Sequence, residues 1–259
     1  MKKTTLALAA AFSVSLTACQ ENPVSGRNQL VLVSEEQAQA SSSQAYAQTI
    51  SEARQKGKIS NDTALNNRVK RITDRLIAQA KVMYPPSKDW DWSLAVIDEP
   101  TINAWAMPGG KMAIYTGIVN KLKLSDDEIG QIMGHEISHA LLGHGRERMS
   151  RAMATQGSLQ LGSLIAGRDL SILAPVATVA LALPNSRSAE SEADRYGIEL
   201  AARAGYNPNA AVTLWEKMSA AGGNGTPEFL STHPTPGNRI QALSALVPQM
   251  MPLYERARN

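Results

Sequence analysis

The five residues from His135 to His139 form a His-Glu-x-x-His motif in a stretch whose apolar spacing predicts a buried helix. Two histidines four residues apart lie one above the other on a helical face, so both imidazoles can reach one metal ion. Glu136 then points near the open position of the metal, where it can take a proton from a bound water. Ser125 followed by Glu128 has the spacing of a capping box and predicts the start of this helix. Three fixed residues also occur by chance, so the motif alone does not establish a metal site. A zinc site of this kind needs a third protein ligand, which the rest of the chain has to supply.

The chain has four histidines, which leaves His144 and His233 as histidine candidates for that ligand. If the helix continued, His144 would lie about 180° from His135 and about 140° from His139 around the axis. The longer metzincin pattern is also absent, since it requires a glycine and a later histidine at positions that hold Leu142 and Gly145. We therefore do not expect His144 to bind the metal.

A better candidate lies in the stretch from Ser186 to Asp194, which contains three carboxylates. Glu190 and Asp194 are four residues apart and share a helical face, whereas Glu192 points away from both. Two histidines and one glutamate form a known catalytic zinc set. The alternative is a solvated helix face on which the three carboxylates pair with neighbouring arginines. The upstream histidine pair favours the metal-binding interpretation.

The sequence resembles the HtpX and type I CAAX prenyl protease family of gluzincin metallopeptidases, in its soluble bacterial lipoprotein branch. The matching stretches occur in the order of the family: 103–110, His135 to His139, Ser186 to Asp194, and Thr232-His233-Pro234 followed by Arg239. The chain departs from the membrane-embedded members because it lacks their several transmembrane helices.

The resemblance assigns roles to three residues outside the helix motif. It implies that Glu190 is the third zinc ligand and that Asp194 either donates a proton or supports a ligand. It also implies that His233 lies near the active site, where an imidazole can hydrogen-bond a developing oxyanion or orient a ligand. We therefore expect one Zn²⁺ per chain as the cofactor, with Glu136 as the general base.

The region from Trp90 to Val119 has the alternating pattern of strands, and a Pro-Gly-Gly turn predicts a hairpin over 103–115. The resemblance places this region beside the zinc helix, where an edge strand can pair with an extended peptide. It therefore implies that Asn103, Ala104, Trp105 and Ala106 bind substrate. We expect an α+β, mainly helical zincin-like domain with a small mixed β-sheet whose edge strand lines the cleft.

Residues 1–18 have the charged end and short apolar core of a secretory signal. The stretch from Leu16 to Cys19 resembles a bacterial lipobox, which implies lipidation of Cys19; an ordinary signal with an incidental cysteine is the alternative. Gln20 is compatible with delivery to the outer membrane of a Gram-negative cell. We expect a lipidated tether and helical arm over 19–60 and a metallopeptidase domain over 61–259, in the periplasm.

Composition argues against a nucleic-acid partner, because the formal charge is only +3 and 5% of residues are aromatic, with no basic stripe. The apolar stretch 157–184 is interrupted by Arg168, Asp169 and Pro175, which makes it too short for a membrane span. Core helices or a hairpin that covers the cleft are the favoured interpretations, and membrane-surface contact is the alternative.

These features predict a zinc endopeptidase that acts on extended or misfolded polypeptides in protein quality control. The membrane, reached through the lipid anchor, and the outer-membrane assembly machinery are the other expected partners. A chaperone-like lipoprotein with a secondary or vestigial protease site is the rival interpretation. A zinc enzyme with a non-peptide substrate is a third.

Overall fold

The computed structural model describes residues 19–155, 173–221, 227–234 and 237–259. It begins with a two-stranded antiparallel hairpin, β1 (Cys19–Glu21) and β2 (Asn28–Leu30). Helix α1 (Glu35–Gln55) follows, within the segment expected to form a helical arm. The predicted signal at 1–18 lies outside the described residues.

Helix α2 (Thr63–Met83) begins after Asp62, whose carboxylate accepts a hydrogen bond from the Leu65 amide at 3.0 Å. This contact satisfies one of the free N–H groups of the first turn. Apolar residues on one face of the helix are buried in the core, namely Leu65, Val69, Ile72, Leu76 and Ala80. A short 3₁₀ helix (Pro85–Asp89) then leads to the sheet.

Three strands form a mixed sheet in the order β3 (Ser93–Ile97), β5 (Lys111–Tyr115), β4 (Ala104–Met107). β3 runs parallel to β5, whereas β4 and β5 form the predicted antiparallel hairpin. Gly109 and Gly110 both have positive φ in the turn, at 78° and 74°, which explains the paired glycines. Because β5 lies between the other two strands, β4 is at an edge of the sheet.

Helix α3 (Thr116–Lys121) precedes the motif helix α4 (Asp126–Leu141), which starts at the predicted capping box of Ser125 and Glu128. Five further helices and a short one complete the described chain: α5 (His144–Thr155), α6 (Leu173–Ala182), α7 (Arg187–Arg203), α8 (Asn209–Ala221), α9 (Glu228–Thr232) and α10 (Arg239–Arg258). The mainly helical α+β class expected from the sequence is confirmed.

The sheet separates two apolar clusters. Alternate residues of β4 and β5 face the larger cluster, which α2, α4, α7, α8 and α10 enclose. The intervening residues Trp105, Met107 and Ala113 face a smaller cluster formed with α1, α5 and α6. α4 thus lies in the centre of the larger cluster, with every residue from Glu128 to Leu141 buried.

The apolar stretch at 157–184 is only partly described. Helix α6 packs against α1 and α5 and approaches β4, whereas 157–172 lie outside the described residues. None of the described helices has both the length and the hydropathy needed to cross a bilayer.

Candidate metal centre

Helix α4 presents both motif histidines from one buried face. His135 and His139 are 4% and 2% exposed, and their Nε2 atoms lie 3.0 Å apart. Burial, followed by the charges of His135 and His144, lowers the pKa of His139 well below its usual value. The imidazole is therefore neutral, which is the form that binds a metal.

Helix α7 brings Glu190 to the same point. Its N-cap is Ser186, whose hydroxyl accepts a hydrogen bond from the Ala189 amide, so Glu190 lies in the first turn. The carboxylate oxygens of Glu190 lie 3.3 Å from His139 Nε2 and 3.6 Å from His135 Nε2. Burial alone would raise the pKa of Glu190, but the charges of His233, His135 and Arg239 and a hydrogen bond from Asn185 hold it below its usual value.

The three side chains fit a bound metal ion. A tetrahedral zinc with bonds of about 2.0–2.2 Å separates its ligand atoms by roughly 3.3–3.6 Å, close to the three observed separations of 3.0, 3.3 and 3.6 Å. The Glu190 Oε1 atom is fully buried and has no hydrogen-bond partner among the described residues. Such an unpaired carboxylate oxygen is costly unless a cation meets it.

His233 also faces this centre. One ligand atom from each of His135, His139, Glu190 and His233 lies within 4.8 Å of the others. Phe229 stacks on the His233 ring at 4.1 Å, and its carbonyl lies 3.1 Å from Nδ1. In the neutral form whose Nδ1–H donates to this carbonyl, Nε2 presents a lone pair to the centre. Burial lowers the pKa of His233 well below its usual value, so the neutral ring prevails.

Glu136 is 2% exposed and lies beside the ligands rather than among them. Its Oε1 is 3.3 Å from His233 Nε2 and has no hydrogen-bond partner among the described residues. The carboxylate also accepts a hydrogen bond from the Ala106 backbone. Burial, followed by the charge of Glu190, raises the pKa of Glu136 well above its usual value. A raised pKa suits a general base that works near neutral pH.

Asp194 lies behind His135, on the side of the ring opposite to the cluster. Its Oδ1 is 3.1 Å from His135 Nδ1 and 2.5 Å from Nη2 of Arg239. This position favours the supporting role over the proton-donor role, because the carboxylate contacts a ligand from the rear. Arg239 also donates to Glu190 at 3.0 Å and lies 3.4 Å above the Trp215 ring.

The free edge of β4 lines the cleft that leads to the cluster. The cavity is about 150 Å³, and Asn103, Trp105 and Ala106 line it together with Glu136 and His139. Helix α6 closes the opposite side of the cavity through Thr178, Leu181 and Ala182. The Asn103 amide donates to Glu228 at 3.2 Å, which fixes the start of the strand.

His144 has an unexpected position. The helix does not continue through it, because α4 ends at Leu141 and Gly143 turns the chain with φ 66°. His144 thereby folds back so that its Nδ1 lies 2.8 Å from His139 Nδ1, on the side away from the cluster. The group of candidate ligands is formed by His135, His139, Glu190 and His233, and His144 contacts one of them directly. Glu192 contacts His144 Nε2 at 2.9 Å.

Three buried residues surround the ligands although no local sequence pattern indicates a role for them, namely Arg148, Asn185 and Arg239. Arg239 was recognised only as part of the resemblance, and Arg148 and Asn185 were not singled out. Arg148 donates to the Asn185 carbonyl oxygen, and the Asn185 amide nitrogen lies 3.5 Å from His139 Nε2. The one local signal for Asn185 is its place immediately before the N-cap of α7.

Comparison with known proteins agrees with this site. A family model described as peptidase family M48 matches residues 63–247. Human "Metalloendopeptidase OMA1, mitochondrial" is 32% identical over 253 residues, which cover 92% of this chain and 48% of that protein. The Vibrio cholerae protein named "Putative beta-barrel assembly-enhancing protease" is 33% identical over 193 residues, covering 70% of this chain and 38% of that one.

"Metalloprotease YcaL" of Escherichia coli is 30% identical over 144 residues, covering 54% of this chain and 56% of that one. The chain spans about half the length of the curated relatives it matches. The gluzincin resemblance inferred from the motifs is confirmed. Because the family model matches well over half of the sequence, the chain belongs to peptidase family M48.

Proposed function

We propose that this protein is a zinc-dependent endopeptidase. The observation that carries the proposal is the convergence of three side chains: the two Nε2 atoms of His135 and His139 are 3.0 Å apart, and Glu190 approaches them with Oε1 3.3 Å from His139 and Oε2 3.6 Å from His135. Glu190 Oε1 has no hydrogen-bond partner among the described residues, and neither has the neighbouring Oε1 of Glu136. Two imidazoles and one carboxylate in a compact tetrahedral arrangement are typical of catalytic zinc sites that keep a fourth position for water.

His135, His139 and Glu190 would hold the zinc, which would lower the pKa of a bound water and polarise the carbonyl of the scissile peptide bond. Glu136 takes the water proton at its unpaired Oε1 and later delivers it to the leaving amine. His233 presents its Nε2 lone pair 3.3 Å from Glu136, where it can accept a hydrogen bond from the water or bind the metal. The other neutral tautomer, with the Thr232 hydroxyl donating to Nδ1 at 2.9 Å, could donate from Nε2 to an oxyanion.

We infer that the substrate binds as an extended strand along β4. Two features support this pairing: β4 is an edge strand, and its Ala106 backbone already contacts the general base. Backbone pairing accepts many sequences, and side-chain pockets select among them. Extended or misfolded polypeptides are therefore the substrate class that we propose.

We further propose that the protein acts in periplasmic protein quality control from a lipid anchor at Cys19, near the outer-membrane assembly machinery. The lipobox-like stretch from Leu16 to Cys19 supports the anchor. The name of the V. cholerae relative supports proteolysis linked to β-barrel assembly, and the name of the E. coli relative supports proteolysis alone. The chaperone-like interpretation is the rival that the following experiment separates.

The test is cleavage of unfolded casein by wild type and by Glu136→Gln, with and without a chelator. Glu136→Gln should retain its metal but lose about 10²–10⁴-fold in rate, because only the general base is removed. Chelator should abolish cleavage by wild type, and added zinc should restore it. Glu199→Gln is the matched control, because Glu199 pairs with Arg203 far from the cluster on the same helix α7.

Equal cleavage by Glu136→Gln would refute the proposed mechanism. A wild type that suppresses aggregation of a client protein but cleaves no peptide would favour the chaperone. A wild type that binds zinc but neither cleaves nor protects polypeptides would favour a non-peptide substrate.

A further inference from the structure

A series of side-chain contacts, buried at its inner end and partly exposed at Glu192 and Arg27, connects the metal ligand His139 to the N-terminal hairpin. His139 Nδ1 lies 2.8 Å from His144 Nδ1, and His144 Nε2 lies 2.9 Å from Glu192 Oε2. The other Glu192 oxygen accepts a hydrogen bond from Arg27 Nε at 2.8 Å. Arg27 belongs to the loop between β1 and β2, 165 residues away from Glu192 in sequence.

The direction of each hydrogen bond in this series of contacts follows from its final acceptor, the Glu192 carboxylate. The Glu192 carboxylate can only accept, so His144 Nε2 carries a proton and donates it. A neutral His144 then has a lone pair on Nδ1, which accepts from the Nδ1–H of His139. His139 is left with its lone pair on Nε2, the atom that faces Glu190 at 3.3 Å. The chain of contacts therefore selects the tautomer that a metal requires.

The two ligand histidines are thus supported in different ways. His135 contacts the carboxylate of Asp194 directly, at 3.1 Å. His139 reaches the carboxylate of Glu192 only through His144, whose side chain is 1% exposed. A carboxylate behind a ligand histidine fixes the orientation of the ring and raises its basicity.

The hairpin is held to α4 by further contacts. The side-chain amides of Asn22 and Gln29 each donate to the Leu142 carbonyl at 2.8 Å, just beyond the end of the metal helix. Arg27 also pairs with Glu147 at 2.7 Å. Arg27 therefore has one partner that belongs to the chain of contacts to His139 and one that does not.

We propose that His144, Glu192 and Arg27 are positioning residues for the metal ligand His139, so that the hairpin over 19–30 completes the metal site. This inference rests on the proposed metal function of His139. It adds that the affinity for metal depends on residues that do not themselves touch the metal.

The experiment measures the zinc dissociation constant of the purified protein by competition with a chromophoric chelator. His144→Leu and Glu192→Met should each weaken zinc binding by about 10–100-fold, the usual effect of losing such support. Arg27→Met should weaken it in the same direction but less, because Glu192 still accepts from His144. His144→Gln should stay within about threefold of wild type, since its amide can accept from His139 and donate to Glu192.

Glu147→Gln is the matched control, because it breaks the other ion pair of Arg27 and leaves the contacts to His139 in place. It should leave the zinc dissociation constant unchanged. The absorption spectrum of the Co²⁺-loaded protein should shift in Glu192→Met and not in Glu147→Gln. Melting in chelator verifies that each variant is folded, and Glu192→Met carries the test if His144→Leu does not fold.

Wild-type affinity in both folded His144→Leu and Glu192→Met would overturn the inference. Equal weakening by Glu147→Gln and Glu192→Met would also overturn it, because attachment of the hairpin alone would then explain the effect. Failure of wild type to bind zinc would instead contradict the proposed function.

Discussion

Arg239 compensates the buried carboxylates of the site. Its side chain is 1% exposed and donates to both Glu190 and Asp194, at 3.0 and 2.5 Å. The guanidinium lies flat against Trp215 at 3.4 Å, which a lysine ammonium could not reproduce. The planar fork is therefore the group that allows two carboxylates to approach the same histidine.

We expect Arg239→Met to destabilise the metal-free protein by about 3–5 kcal/mol, because it leaves buried charges without a partner. Urea unfolding in the presence of a chelator measures this effect. Arg203→Met is the matched control: Arg203 pairs with Glu199 on α7, but its side chain is 40% exposed. That change should cost about 0–1 kcal/mol. Similar losses in the two variants would contradict this role for Arg239.

At the scale of helices, the site depends on the close approach of α4 and α7. Gly134 and Gly197 face each other at the crossing, and a Cβ at Gly197 would lie 2.8 Å from His135 Cα. A Cβ at Gly134 would lie 2.9 Å from the Gly197 carbonyl oxygen. The absence of side chains here lets Glu190 reach the histidines from the neighbouring helix.

Gly197→Ala should therefore separate the helices, cost about 1–3 kcal/mol and weaken zinc binding. Thermal unfolding and chelator competition on the same sample measure both effects. Gly237→Ala is the control, because a Cβ at Gly237 meets no atom within 4 Å. A Gly197→Ala protein with wild-type stability and zinc affinity would contradict the need for this close crossing.

Local signals predicted the elements that hold the site, but not all of their contacts. The Ser125–Glu128 pair begins its helix as expected, because capping depends only on neighbouring residues. The 103–115 hairpin followed from its turn glycines. The angle of His144 around the helix axis was calculated for a helix that continues, whereas Gly143 turns the chain before His144. A single glycine in an apolar stretch does not by itself predict such a turn.

At the scale of the whole molecule, the segment predicted as a tether and helical arm lies against the rest of the chain. Arg27 pairs with Glu147 and Glu192, which are 120 and 165 residues away, and α1 packs against α6. Contacts of such sequence separation leave no periodic pattern that could be read in advance. The role of Arg239 was missed for the same reason. The domain division at residue 60 stays a prediction.

The proposed lipid anchor at Cys19 is a second prediction about the whole molecule. Cys19 is exposed at the start of β1, so its thiol is not needed for packing. In Gram-negative cells that express the full chain, we expect the mature protein to begin with lipidated Cys19 and to fractionate with membranes. Cys19→Ser should release it in soluble form. Mass spectrometry that finds an unmodified terminus at another residue would contradict the anchor.

The central claim is that one zinc ion is held by His135, His139 and Glu190. Anomalous diffraction measured on both sides of the zinc absorption edge, from crystals of the purified protein, tests it most directly. We expect one peak, about 2.0–2.2 Å from both Nε2 atoms and from a Glu190 carboxylate oxygen. A peak bound by His144, or a site that does not include Glu190, would contradict this ligand set.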